Sequence, residues 1–131
     1  MGLTNAGRDV ICDLIIGAAV NKYDTTNGHL SVGDSTTAFA NTQTELQAVT
    51  NRTRKQLTSS TRSTNVISFV TTYASGDANY SWQEFGTFNA VGSGGPPVTG
   101  GTMLHRVVSN QGTKVAGQSW QLTMALTITV P

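Results

Sequence analysis

The chain has 131 residues, 37% hydrophobic and 11% charged, and its eight Lys and Arg against seven Asp and Glu leave a formal net charge of +1. That length suits one domain with a real core, while a charge fraction far below the usual ~25% leaves the exterior to Thr, Ser, Asn and Gln and supplies no basic field of the kind that coats nucleic acid. Cys12 is the only cysteine, so an internal disulfide is excluded; no apolar run reaches the roughly 18 residues of a membrane span, and the first residues lack a signal peptide's pattern, so synthesis in a reducing cytoplasm without export is expected.

The first element is a helix, predicted over residues 4–18. Thr4 or Asn5 caps it, Asp9 lies near its positive end, and Ile11, Leu14, Ile15 and Ala18 follow the i, i+3, i+4, i+7 spacing of a buried stripe, with Cys12 beside it as a small apolar filler. Asn27-Gly28 then marks a turn, His29 to Val32 a short strand, and Gly33-Asp34 its end. Residues 36–48 read as a polar, irregular arm anchored by Phe39 and Leu46, with a helical turn near Thr44 to Gln47. Strands are expected over residues 50–57, 65–73, 80–88 and 103–108, separated by Ser-rich, Ser75-Gly76-Asp77 and Gly/Pro-rich breaks. In the last strand Trp120, Leu122, Met124, Leu126, Ile128 and Val130 alternate with Gln121, Thr123, Ala125, Thr127 and Thr129, one face on a core and one outward, and its length suggests a central place in a sheet. The sum is a mainly-β fold over residues 1–131: a two-sheet antiparallel β-sandwich (jelly-roll-like) or flattened barrel over about 29–131, with one N-terminal α-helix.

Candidate reaction centres fail on context. Asp34-Ser35 after Gly33 lacks the second glycine and the α/β setting of a nucleophile elbow, and reads instead as a turn in which the Asp34 carboxylate caps Thr36 or Thr37. His29 and His105 have no ligand-type neighbours at metal-binding spacing. Gly92 to Gly101 lacks the lysine and following helix of a phosphate loop. No catalytic residue, metal or cofactor is expected.

Glu84 shares a face with Tyr80, Trp82, Gly86 and Phe88 by alternation, so it should be buried and paired with Arg52, Arg54 or Arg106. Arg52, Arg54, Lys55 and Arg62 concentrate half of the positive charge in one region, either a charge-protected edge strand or a contact for an acidic neighbour. Aromatics are not interleaved there, so nucleic acid is not an expected partner.

Together the stretches L-T-N-A-G-R-D, V-G-D-S-T-T-A-F-A-N-T-Q-T-E-L, N-R-T-R-K, W-Q-E-F-G-T-F-N-A, G-G-T-M-L-H-R-V and W-Q-L-T-M-A-L-T-I-T-V resemble small virion structural proteins of tailed bacteriophages. That group comprises capsid decoration (cement) proteins and related tail-collar or fibre-attachment modules. The resemblance covers almost the whole chain and implies binding without chemistry, on the capsid exterior by preference and on the tail as the alternative. The implied partners are the major capsid protein and copies of the chain itself, as a dimer or trimer, or otherwise tail or baseplate proteins; no membrane is implied. A fibre protein would continue into a shaft, whereas this chain stops at Pro131, which favours decoration. The expected contact residues are Met1, Leu3, Thr4, Asn5, Phe39, Gln43, Arg52, Arg54, Lys55, Arg62, Pro96 and Pro97. A small virion-associated hydrolase using Glu84 and Asp77 is the third reading.

Overall fold

The computed structural model describes residues 2–95 and 97–131, so Met1 and Pro96, both expected at a contact surface, lie outside the described residues. The elements follow in the order β1 (Gly2–Leu3), α1 (Asn5–Ile15), β2 (His29–Gly33), β3 (Arg52–Gln56), β4 (Ser59–Ser63), β5 (Val66–Tyr73), β6 (Ser81–Phe88), β7 (Met103–Thr113) and β8 (Trp120–Thr127). They build two antiparallel sheets, one of five strands in the order β1-β7-β6-β2-β3 and one of three in the order β4-β5-β8. This is the β-sandwich expected from the alternation, and the sheets do not close into a barrel.

The helix starts where Thr4, in extended backbone, accepts the Gly7 N–H on its side-chain oxygen at 2.8 Å. It stops earlier than expected. Gly17 adopts the left-handed φ of 74°, its N–H bonds to the Leu14 carbonyl, and Ala18 N–H reaches back to Asp13, a Schellman closure that leaves Ala18 outside the helix. The buried stripe is shifted one turn towards the N-terminus: Gly7 and Val10 are buried and Ile11 and Leu14 pack on the core, whereas Ile15 is 79% exposed. Gly7 explains the shift, because a Cβ there would overlap the Leu104 carbonyl, and only glycine lets the helix come down onto β7. Cys12 is exposed and does not fill the core.

The main core lies between the sheets. Leu30, Val32, Phe85 and Leu104 of the large sheet meet Phe69, Tyr73, Met124 and Leu126 of the small one. Tyr73 and Trp120 each meet Trp82 edge-on at 5.0 Å between ring centroids, each such pair adding about 1 kcal/mol beyond its buried area. Buried Tyr73 donates its hydroxyl to the Leu30 carbonyl at 2.9 Å, tying β5 to β2, and burial raises its pKa well above the ordinary phenol range.

Three strand expectations change. Ser59–Ser63, expected as a break, is β4, an edge strand held by main-chain pairing to β5 with no apolar alternation to announce it. The strand expected to end at Val108 runs to Thr113. The terminal strand is not central: β8 has β5 on one side only, and beyond Thr127 the expected inward residues Ile128 and Val130 are 58% and 91% exposed. Alternation assigns a strand's two faces but is silent about its neighbours.

Candidate functional site

The outer face of the large sheet is covered by the polar arm, and beneath the arm lies a buried layer of charge. Its floor is made by small residues. Across the sheet, Arg52 stands opposite Gly33 and Gly33 opposite Glu84, while the next row reads Arg54, Ser31, Gly86 and Arg106. Gly33, Ser31 and Gly86 thus form a trough into which the longer side chains lie flat. A Cβ on Gly33 would stand 2.5 Å from Glu84 Oε1, and one on Gly86 would press on Leu46 at 3.1 Å. Leu46 fills the trough with Phe88 and Met103 as a second, smaller core.

Glu84 is fully buried, and each of its oxygens is engaged. Oε1 accepts the Ala48 N–H at 2.7 Å, and Oε2 accepts the Gln47 N–H and Arg106 Nε at 2.8 Å each, with Arg106 Nη2 also at 2.8 Å from Oε2. Arg106, itself fully buried, donates onward to the Thr37 carbonyl and to Gln43 Oε1, at 2.9 and 3.1 Å. One ion pair therefore holds the arm at both ends. Charge-assisted contacts of this kind are roughly twice as strong as neutral ones.

A second clip involves Glu45, which accepts Arg54 Nη2 at 3.2 Å and the Gly100 N–H at 3.1 Å, with Arg52 at 4.0 Å. Arg52 donates to the Leu46 carbonyl at 2.6 Å. Arg54 donates to the Ala90 and Gly100 carbonyls and lies 3.7 Å above the Phe88 ring, so it fastens the Gly/Pro loop as well as the arm. Burial lowers the Arg54 pKa from its ordinary value, and the nearby Glu45 carboxylate opposes that shift.

This geometry corrects several expectations. Glu84 does not share the face of Trp82: Trp82 enters the main core and Glu84 lies under the arm, and the β6–β7 register shifts between them, with one residue on β6 against three on β7. Of the three arginines offered to Glu84, Arg106 is the partner, while Arg54 pairs with Glu45. Arg52 and Arg54 sit on an edge strand, but with side chains 9% and 2% exposed they are interior residues, and the acid they meet belongs to their own chain. Lys55 pairs with Asp77 at 3.0 Å, and its hydrogen bond is the main cause holding Asp77 below the ordinary carboxylate range. Arg62 alone of the basic run is exposed, and it donates to the Thr64 carbonyl of its own turn.

Other contact candidates divide in the same way. Leu3 is 39% and Phe39 37% exposed, and Pro97 is half-buried. Thr4 is 1% exposed, locked as helix cap and as donor to the Met103 carbonyl, and Gln43 serves Arg106. Asn5 is half-buried, its N–H bonded to Asn41. The arm forms a turn at Ala40–Gln43 in place of the expected helical turn. At Asp34-Ser35 the turn is confirmed with a different actor: Ser35 Oγ accepts the Thr37 N–H at 3.1 Å, while Asp34 is held by the Asn51 side chain.

His29 and His105 both lie on strands. His105 is fully buried with Nε2 2.8 Å from Thr87 Oγ1, and burial pushes its pKa down to about 4. Among the described residues no three His, Cys, Asp or Glu side chains gather, and no helix is long and apolar enough to cross a membrane. A groove of about 760 Å³ between β8 and strands β6 and β7 is lined by residues such as Trp82, Trp120, Leu122, Ser109 and Gln111 and by no ionisable side chain. Asp77 and Glu84 are committed to different cations and do not form an acid–base pair.

Two charged groups, half-buried Glu45 and buried Lys114, escaped the sequence reading. Glu45 looked like one polar residue in a polar arm. Lys114 is fully buried, donating to the Ala74 carbonyl and Asn79 Oδ1 at 2.8 Å each. The trough glycines, Gly33 and Gly86, were the available signal, since a glycine within a strand marks close approach by something else. Comparison with known protein families, curated proteins and solved structures finds no match to this chain.

Proposed function

We propose that the chain is a structural protein of a tailed bacteriophage virion, a capsid decoration protein that binds the major capsid lattice and stabilises it. The observation that carries this reading is the disposal of charge. Three arginines and two glutamates lie between sheet and arm, Lys114 is buried, and Lys55–Asp77 and Arg8–Asp9 pair with each other. What faces outward is chiefly hydroxyl and amide. Such a surface can be laid against a protein lattice without the desolvation penalty of unpaired charge, and many weak copies bound to the assembled form stabilise it by mass action. The same sandwich fits a tail-collar or fibre-attachment role, which is the second reading. A hydrolase is disfavoured by the engagement of both Glu84 oxygens.

The exposed thiol of Cys12, the only cysteine, provides a site for the test. Gold-labelled protein bound to intact particles and imaged should decorate the capsid shell. Labels confined to the tail would replace decoration with the second reading, and failure to bind either part of the particle would defeat both.

A further inference from the structure

We propose that the free edge of β8 accepts residues 129–131 of a second copy as a short fourth strand of the small sheet. The proposal rests on the reading of the chain as an assembly protein, but its test uses purified protein without particles, so it can fail while decoration stands.

The acceptor is a sheet one strand short. Ile128 N–H bonds to the Asn65 carbonyl at 2.9 Å, and the register from Val66–Thr127 to Tyr73–Trp120 is unbroken. By antiparallel alternation, the even-numbered residues of β8 therefore direct their main-chain groups to β5. Gln121, Thr123, Ala125 and Thr127 direct theirs to the empty side.

Among the other outer strands, β4 carries exposed Arg62, β3 carries Lys55, and β1 is two residues long and pairs with β7 only at His105 and Arg106. The eight residues of β8 contain no charge, proline or bulge, the features that normally protect an edge.

Beneath this edge lies the groove of about 760 Å³. Its floor includes Phe85 and Val107, and half-buried Trp120 and Leu122 form its wall. Contacts from Trp82 to Trp120 and from Thr87 to Met124 seat β8 over β6. In the large sheet, β7 and β1 continue past it. A whole second sheet meeting β8 edge-on would collide with those strands, so the occupant must be a segment that stands clear of its own sheet.

Residues 129–131, beyond the bond from Ile128 to Asn65 that ends the pairing with β5, are such a segment. Ile128 and Val130 continue the inward alternation of β8 while lying 58% and 91% exposed, and the intervening threonines are uncharged. Three extended residues span roughly 10 Å, so the donated segment covers part of the roughly 24 Å that the stretch 119–125 lines. Neutral segment and neutral groove match in charge, and donated Val130 would exchange water for an apolar floor. Because donor and acceptor are different surfaces, the contact is head-to-tail, and each copy can both give and receive a strand.

The test uses two variants and sedimentation velocity over a concentration series, with circular dichroism to check folding. Thr123→Pro removes an N–H from the free edge without touching the β5 pairing, and deletion of residues 129–131 removes the donor. Wild type should assemble as concentration rises, each variant should remain monomeric, and an equimolar mixture of the two should give a dimer and nothing larger, since only one junction can form. If Thr123→Pro unfolds, Ala125→Lys blocks the same edge. A wild type that stays monomeric through millimolar concentration, or an oligomer that persists in both variants, would overturn the proposal.

Discussion

Replacing Glu84 with Gln keeps the side chain's shape and removes its charge, which isolates the role of the buried ion pair. Four donors converge on this carboxylate: the Gln47 and Ala48 N–H groups and Arg106 Nε and Nη2, at 2.7–2.8 Å. A glutamine offers one carbonyl oxygen and turns an NH₂ towards the remaining donors. At least one buried N–H loses its acceptor, and Arg106, fully buried, loses its counter-charge. Removing one member of a buried pair typically costs about 3–5 kcal/mol, a large part of the roughly 5–15 kcal/mol that a domain has in total. With a urea m value of about 2 kcal/mol/M, the unfolding midpoint should fall by roughly 2 M, followed by circular dichroism and tryptophan fluorescence. Arg106→Met should be similarly harmful, and the double variant should cost at least ~2 kcal/mol less than the sum of the singles, because the second substitution removes a charge already left unpaired. A loss below ~1 kcal/mol for Glu84→Gln, or additive singles, would refute the reasoning.

Three further outcomes are expected. Gly7→Ala forces the new methyl into the Leu104 carbonyl and should lower stability by about 1–3 kcal/mol in thermal or urea unfolding, as for other overpacked core sites. His105, at about 4 in the folded chain against ~6.5 unfolded, is neutral in the native state, so the unfolded chain binds the extra proton first as pH falls. Its contribution is fully present above pH ~6.5 and declines towards pH 4, by an order of 3 kcal/mol in all, and a His105→Gln variant should show a flatter stability profile over that window. Lys114→Met leaves the Ala74 carbonyl and Asn79 without their buried donor and should cost about 1–3 kcal/mol, with faster proteolysis at the turn of residues 74–79.

Patterns carried by period were legible in the sequence, and choices made by spatial neighbours were not. The alternation of β8 identified Met124 and Leu126 as inward residues, and both are buried. Nothing in that alternation could place the strand at an edge. Glu84 was recognisable as a carboxylate needing a guanidinium because it stands within an aromatic-rich strand. Its face was misread because β6 breaks its alternation between Trp82 and Glu84, where the register with β7 shifts, and no apolar or polar pattern marks the break. The same limit hid Arg52 and Arg54. A run of basic residues on an edge looks solvated until an arm, carrying Glu45 and joined at some distance along the chain, folds over it. In α1 the face was right, with Ile11 and Leu14 on the core, and its extent along the axis wrong, because Gly7's lack of a side chain, which permits the close approach to β7, does not register as hydrophobicity.

The central claim is that this fold works as one of many identical copies laid on a lattice. Quantitative mass spectrometry of purified phage particles, measuring this chain against the major capsid protein, tests it most directly. A fixed ratio of small whole numbers that is maintained in tail-less heads is the predicted result. A stoichiometry of a few copies per particle that disappears with the tail, or absence from the particle, would contradict the account.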